Sequence, residues 1–113
     1  MNRTKIKIVY PDGRISMDDV VANTYREAIR YLGIEKIRRL DIRRNSINIV
    51  SYASEIMNSS GKRESTDERN LDTRSNLYIC TQFSTNAKCQ ILEYLNDRLN
   101  AGLKISLVTP TKI

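Results

Sequence analysis

The sequence predicts a single α+β domain, a mainly antiparallel sheet of about five strands with two principal helices in the order ββα(α)ββαβ, and three observations carry that expectation. Apolar and polar residues alternate at both ends of the chain, in Lys5-Ile6-Lys7-Ile8-Val9-Tyr10 and in Leu103-Lys104-Ile105-Ser106-Leu107-Val108, as half-buried strands do. Between them, two segments repeat their apolar residues at intervals of three and four, Tyr25 to Leu32 and Lys88 to Leu99, which is the spacing of a helix with one buried face. The length, 113 residues, suits one domain covering residues 1–113, and a chain of this size buries about two-thirds of its extended surface on folding without metal or disulfide support.

Taken in order, the first strand ends at Pro11-Asp12-Gly13. Asp-Gly between extended segments is a hairpin signal because glycine accepts the positive φ of a tight turn, so Arg14-Ile15-Ser16-Met17 is the expected return strand. Thr24-Tyr25-Arg26-Glu27 fits a capping box, placing a helix start at Thr24. Tyr25, Ala28, Ile29 and Leu32 then form its buried face, and Gly33 suits its C-terminal cap. Ile34, Ile37 and Leu40 continue the helical spacing into a short second helix over Glu35 to Leu40. A third strand is expected at Ser46 to Tyr52, bounded by the polar Arg43-Arg44-Asn45. From Ser54 to Ser75 the composition turns polar and mixed in charge, the mark of a mobile loop at 54–75. Leu77 to Phe83 is the fourth strand by its β-branched and aromatic content. Ser84-Thr85-Asn86 supplies capping side chains, and Lys88, Ile91, Leu92, Leu95 and Leu99 form one helical stripe, with Lys88 placed to snorkel. Ala101-Gly102 closes that helix before the final strand.

Composition narrows the range of functions. No apolar run approaches the roughly 20 residues that cross a bilayer, and neither a leader nor a lipidation motif is visible at Met1-Asn2-Arg3-Thr4-Lys5, so a cytoplasmic protein with no membrane partner is expected. Two cysteines, Cys80 and Cys89, are too few for a disulfide framework, and the chain has no histidine; two reduced thiols in or near the core are expected, with no zinc site. The missing histidine also removes the commonest acid-base group. Asp18-Asp19 reads as a pair of turn residues rather than a metal site. Tyr78 and Cys80 have no neighbouring base, and no phosphate-binding loop or dinucleotide fingerprint is present. The expectation is a protein that is not an enzyme and needs no cofactor.

Charge is the more informative property. Lys and Arg number 19 against 13 Asp and Glu, a formal net charge of +6. Residues 1–53 hold 11 of the cations against 6 carboxylates, and the densest stretch is Lys36-Ile37-Arg38-Arg39-Leu40-Asp41-Ile42-Arg43-Arg44. Lys36, Arg38, Arg39, Arg43 and Arg44 form a candidate anion-binding ridge, because a guanidinium fork matches phosphate oxygens. Lys5, Lys7, Arg26 and Arg30 are candidates to extend its field. The plain alternative is a solvated basic face. Tyr25, Tyr31, Tyr52, Tyr78 and Tyr94 offer rings for stacking, without the interleaved motif of a ribonucleoprotein domain.

The strand ending Tyr10-Pro11-Asp12-Gly13, the helix ending Leu32-Gly33-Ile34-Glu35-Lys36, the strand Leu77-Tyr78-Ile79, Ser84-Thr85 ahead of a helix, and Leu103-Lys104-Ile105 together resemble a small bacterial α+β domain found in stand-alone hypothetical proteins or as tail modules. The resemblance spans nearly the whole chain and implies a shared fold, but its motifs are caps and turns and it brings no established active site. The polar segment Ser54 to Ser75 departs from it.

Three functional readings follow. The first is a non-catalytic module for nucleic acid or another phosphate-bearing ligand, bound through residues 36–44. The second is a protein-interaction or inhibitor module, homodimeric or directed at a phage or bacterial defence protein, using a sheet edge or the long loop. The third is a pocket for a nucleotide signal.

Overall fold

The structure, a computed structural model, describes residues 4–44, 47–52, 71–72, 74–81 and 83–109. It is α+β with three helices and short antiparallel strands. The first strand, β1 (Lys5–Val9), pairs with β2 (Ile15–Ser16) through the expected turn and along its whole length with the last strand, β8 (Lys104–Val108). Alternation sends Ile6 and Ile8 inward, where both are fully buried, and leaves Lys5 and Lys7 on the other face.

Helix α1 (Val21–Leu32) begins one turn before the expected capping box. Val20 is its N-cap, without a side-chain cap, and Thr24 lies inside the helix, fully buried. Asp18 does the turning instead: its carboxylate accepts from Val20 N–H at 2.7 Å and Asn23 Nδ2 at 3.2 Å, while its own N–H donates to Thr24 Oγ1 at 2.9 Å. Glu27 is likewise diverted from capping. It pairs with Arg14 and accepts from Ser16 Oγ at 2.9 Å, fastening the first hairpin to the helix.

Gly33 separates α1 from α2 (Ile34–Leu40) with φ 107°, a conformation that a side chain opposes. The junction closes α1 through Gly33 N–H to Ile29 O at 3.1 Å and opens α2 through Ile37 N–H to Gly33 O at 3.1 Å. At the other end of α2, Asp41 adopts the left-handed conformation at φ 50° and its N–H bonds back to Arg38 O. That turn redirects the chain towards Arg43 and Arg44.

The single strand expected at Ser46 to Tyr52 is two pieces. A hairpin pairs β3 (Arg43–Arg44) with β4 (Ile47–Asn48), and β5 (Val50–Tyr52) joins β7 (Leu77–Ile79), itself flanked by β6 (Leu71–Asp72). Ile49 makes the break: its N–H donates to Ile42 O at 3.1 Å whereas its carbonyl accepts from Cys80 N–H at 2.9 Å, so the chain changes partners at a fully buried residue. The expected five-stranded sheet is thus divided into two three-stranded sheets and a hairpin, among the described residues. Arg43 and Arg44, expected as a boundary, are strand residues. Most of the 54–75 segment lies outside the described residues.

Helix α3 (Thr85–Leu99) starts as the sequence predicts, with Ser84 Oγ accepting from Ala87 N–H at 3.1 Å. Ile91, Leu92 and Leu95 join Ile6, Ile8, Tyr25 and Ile29 in the core. The helix packs on α1, β1 and β8, and α2 covers β5 and β7. Its C-terminal cap is Asn100 at φ 51°, ahead of the expected Ala101-Gly102. Asn96 then holds the turn into β8 by clasping one residue from both sides: its Nδ2 donates to Leu103 O and its Oδ1 accepts from Leu103 N–H, each at 2.9 Å. An aspartate there keeps the acceptor and loses the donor. N96D is therefore expected to destabilise the fold by about 2 kcal/mol, read as a lower urea midpoint at unchanged m-value; an unchanged midpoint would show that the clasp contributes nothing.

Candidate nucleic-acid interface

Burial on α2 decides which of the ridge residues meet solvent. Ile37 is buried and Ile34 and Leu40 pack against the core, which leaves Lys36 and Arg39 exposed and Arg38 half-buried at the flank. After the Asp41 turn, Arg43 and Arg44 lie on β3, fixed opposite Asn48 and Ile47. Facing them from α3 are Gln90 and Tyr94, exposed and four residues apart, hence on one side of that helix.

Between these elements runs a groove of about 500 Å³. Its apolar lining is Leu40, Ile42, Ile49 and Ile91, of which Ile49 and Ile91 are buried core residues. Its polar lining is Asp41, Arg43, Arg44, Gln90 and Tyr94. Arg43 and Arg44 are thus brought together at the groove, while Lys36 and Arg39 sit outside it on the preceding helix. Arg38 is linked to the groove through Asp41, whose Oδ1 lies 3.7 Å from Arg38 Nη1 and 3.9 Å from Arg43 Nε. These contacts are long, and Asp41 and Arg43 are more than half exposed as side chains; such pairs are worth well under about 1 kcal/mol and yield readily to a stronger anion. Over residues 34–44 five cations face only Glu35 and Asp41.

The proposed extensions of the field fare differently. Arg30 is exposed on α1. Lys5 and Lys7 occupy the outer face of β1, in a separate sheet, and Lys5 Nζ is held by Asp19 at 2.6 Å; that carboxylate sits below its usual range because Lys5 bonds to it. Arg26 is corrected outright. It is 3% exposed, with Nη2 donating to Asn23 Oδ1 at 2.5 Å, and so belongs to the interior. Nearby Lys88 is also buried, its Nζ donating to Phe83 O at 2.7 Å, and burial, with a smaller contribution from Arg26, lowers its pKa.

Of the candidate stacking rings, Tyr25 and Tyr78 are buried, and Tyr31 packs edge-on against Tyr10 with ring centroids 4.8 Å apart. Tyr52 has no described side chain. Tyr94, half exposed, lines the groove. Gln90 escaped sequence reasoning altogether; the available signal was an aromatic, Tyr94, on the wet side of an amphipathic helix with an amide one turn before it.

Cys80 is half-buried and Cys89 buried, and neither is in a disulfide. Burial first, then the Glu93 carboxylate, whose Oε1 lies 3.5 Å from Sγ, pushes the Cys89 thiol up to about 11 from 9.0. A folded pKa above the unfolded one means that the native state holds its proton longer, so this stability is complete below about pH 9 and is lost as pH rises towards 11. C89A is expected to show a shallower alkaline loss of stability than the parent in thermal melts across that range; identical slopes would remove Cys89 as a cause.

Among the described residues no three of His, Cys, Asp and Glu gather as a metal site, and no helix is long and apolar enough to cross a membrane. Comparison with protein-family models, with curated proteins and with solved structures finds no match. The likeness of the sequence pattern to a small bacterial domain accordingly stays a resemblance.

Proposed function

We propose that this protein is a non-catalytic module that binds nucleic acid through its phosphate backbone, with Arg43 and Arg44 as the principal contacts and Lys36, Arg38 and Arg39 as flanking charges. The observation that supports this reading is the pair of arginines carried by a two-residue strand at the rim of a groove, with Arg43 in a loose contact to the Asp41 carboxylate. Guanidinium groups so placed engage phosphate oxygens in a fork and release the counterions condensed on the polymer. The net charge of +6 favours encounter with any polyanion.

The test is binding of labelled single-stranded DNA, RNA and duplex DNA over a salt series. Roughly micromolar affinity that falls steeply with salt supports the reading; no binding to any of the three at low salt would sink it.

A second reading, a protein-interaction module, is favoured by one separate observation. Ile15, Met17 and Val20 are 59%, 43% and 51% exposed and close together in sequence, from β2 to the N-cap of α1. An apolar surface of this kind predicts a complex or discrete oligomer that persists at high salt, which sedimentation at about 0.1 and 1 M salt distinguishes from polyanion binding.

A further inference from the structure

We infer that the groove between β3 and α3 takes one unstacked base of a single strand, so that the ligand class is single-stranded rather than duplex nucleic acid. This inference rests on the proposed phosphate-binding role and adds to it a site for the base.

The groove has two chemical halves. Arg43 and Arg44 bring positive charge from β3 to a cavity whose lining includes the apolar side chains of Ile42, Ile49 and Ile91. Phosphate alone has no use for an apolar cavity. A ligand that needs both is amphiphilic, with an anionic group joined to a flat, weakly hydrated body, and a nucleotide unit has that composition. The volume, about 500 Å³, falls within the roughly 300–1,000 Å³ typical of small-molecule sites and accommodates one nucleotide rather than a helix.

α3 supplies what a base requires. Tyr94 is 50% exposed and lines the groove, so its ring is available as a stacking surface. It differs in this from Tyr31, which is 46% exposed but already packed against Tyr10. Gln90, four residues earlier, adds an amide with both a donor and an acceptor, suited to a base edge. A duplex keeps its base faces stacked inside and presents phosphates and base edges, leaving the Tyr94 ring with no face to stack on. A single strand can place a base in the groove while its flanking phosphates reach Arg43 and Arg44.

The experiment compares three probes by fluorescence anisotropy: an oligothymidylate of about ten nucleotides, an abasic oligomer of the same length and charge, and a duplex. Each is titrated against the parent, Y94A, Y94F and the double variant R43Q/R44Q. The parent is expected to bind oligothymidylate roughly tenfold or more tightly than the abasic oligomer, in keeping with the usual cost of losing one base stack. Y94A is expected to remove that preference without changing affinity for the abasic oligomer, whereas Y94F retains it because the ring, not the hydroxyl, stacks. R43Q/R44Q is expected to weaken both oligomers. Because Tyr94 is half exposed, Y94A is expected to fold, which circular dichroism checks. Equal, salt-dependent binding of base-bearing and abasic oligomers by the parent, or an unchanged preference in Y94A, would overturn the base site and leave phosphate binding standing. No binding of any probe would overturn both.

Discussion

Neutralising Arg38, Arg39, Arg43 and Arg44 to glutamine together is expected to lower affinity for a single strand about 100-fold at low salt and to flatten the salt dependence. Each phosphate contact to a single strand contributes a slope of about 0.7 in log affinity against log salt, so four lost contacts reduce it by about three. The loss divides unequally. R43Q/R44Q takes the larger share, because those two side chains line the groove, and R38Q/R39Q takes the remainder. These residues are exposed or half-buried, and the pairs that Arg38 and Arg43 make with Asp41 are long, so the melting temperature should move little. A quadruple variant that binds with the parent's affinity and slope would reduce the ridge to a solvated face.

The ridge was legible because five cations within nine positions need no tertiary knowledge to be noticed. What the sequence left open was their direction. Arg26 illustrates the difficulty: it neighbours Tyr25 on α1, which packs on α3, and it ends 3% exposed, close enough to the buried Lys88 to lower that residue's pKa. A basic residue flanking an apolar stripe reads as solvent-facing until the next helix is placed. The groove was hidden for the same reason. Arg44 and Gln90 are far apart in the chain, and no periodicity in either segment announces that they will face one cavity.

The fold shows a similar division between local and tertiary control. β1 and α3 are patterned strongly enough that alternation or the apolar stripe settles them, and β8 forms where alternation puts it, although Leu107, in register with the buried Leu103, is 42% exposed. The Thr24–Glu27 capping box fails because both of its side chains have better partners elsewhere: Thr24 accepts from Asp18 N–H, and Glu27 takes Arg14 and Ser16. The strand at 46–52 fails as one element because Ile49 sends its N–H and carbonyl to different neighbours. Alternation reports which face a residue occupies, not which strand it bonds.

Replacing Leu92 with alanine is expected to destabilise the protein by about 3–4 kcal/mol, since Leu92 is fully buried and truncation of such a residue costs both its transfer energy and the cavity left behind. Against a total of roughly 5–15 kcal/mol for a domain of this kind, the loss lowers Tm by roughly 10–20 °C. L92M, which conserves volume, should cost less than about 1.5 kcal/mol. The helix also allows stability and binding to be separated. Ile91 lines the groove, but Leu92 is displaced by about 100° around α3 and contributes to the core without lining it. The folded fraction of L92A, assayed well below its melting temperature, should therefore bind oligonucleotide like the parent, in contrast to the arginine variants, which keep their stability and lose affinity. A folded L92A with binding weakened as much as the quadruple variant would mean that core packing sets the position of Tyr94 and Gln90, and that the groove is shaped from beneath rather than assembled at its rim.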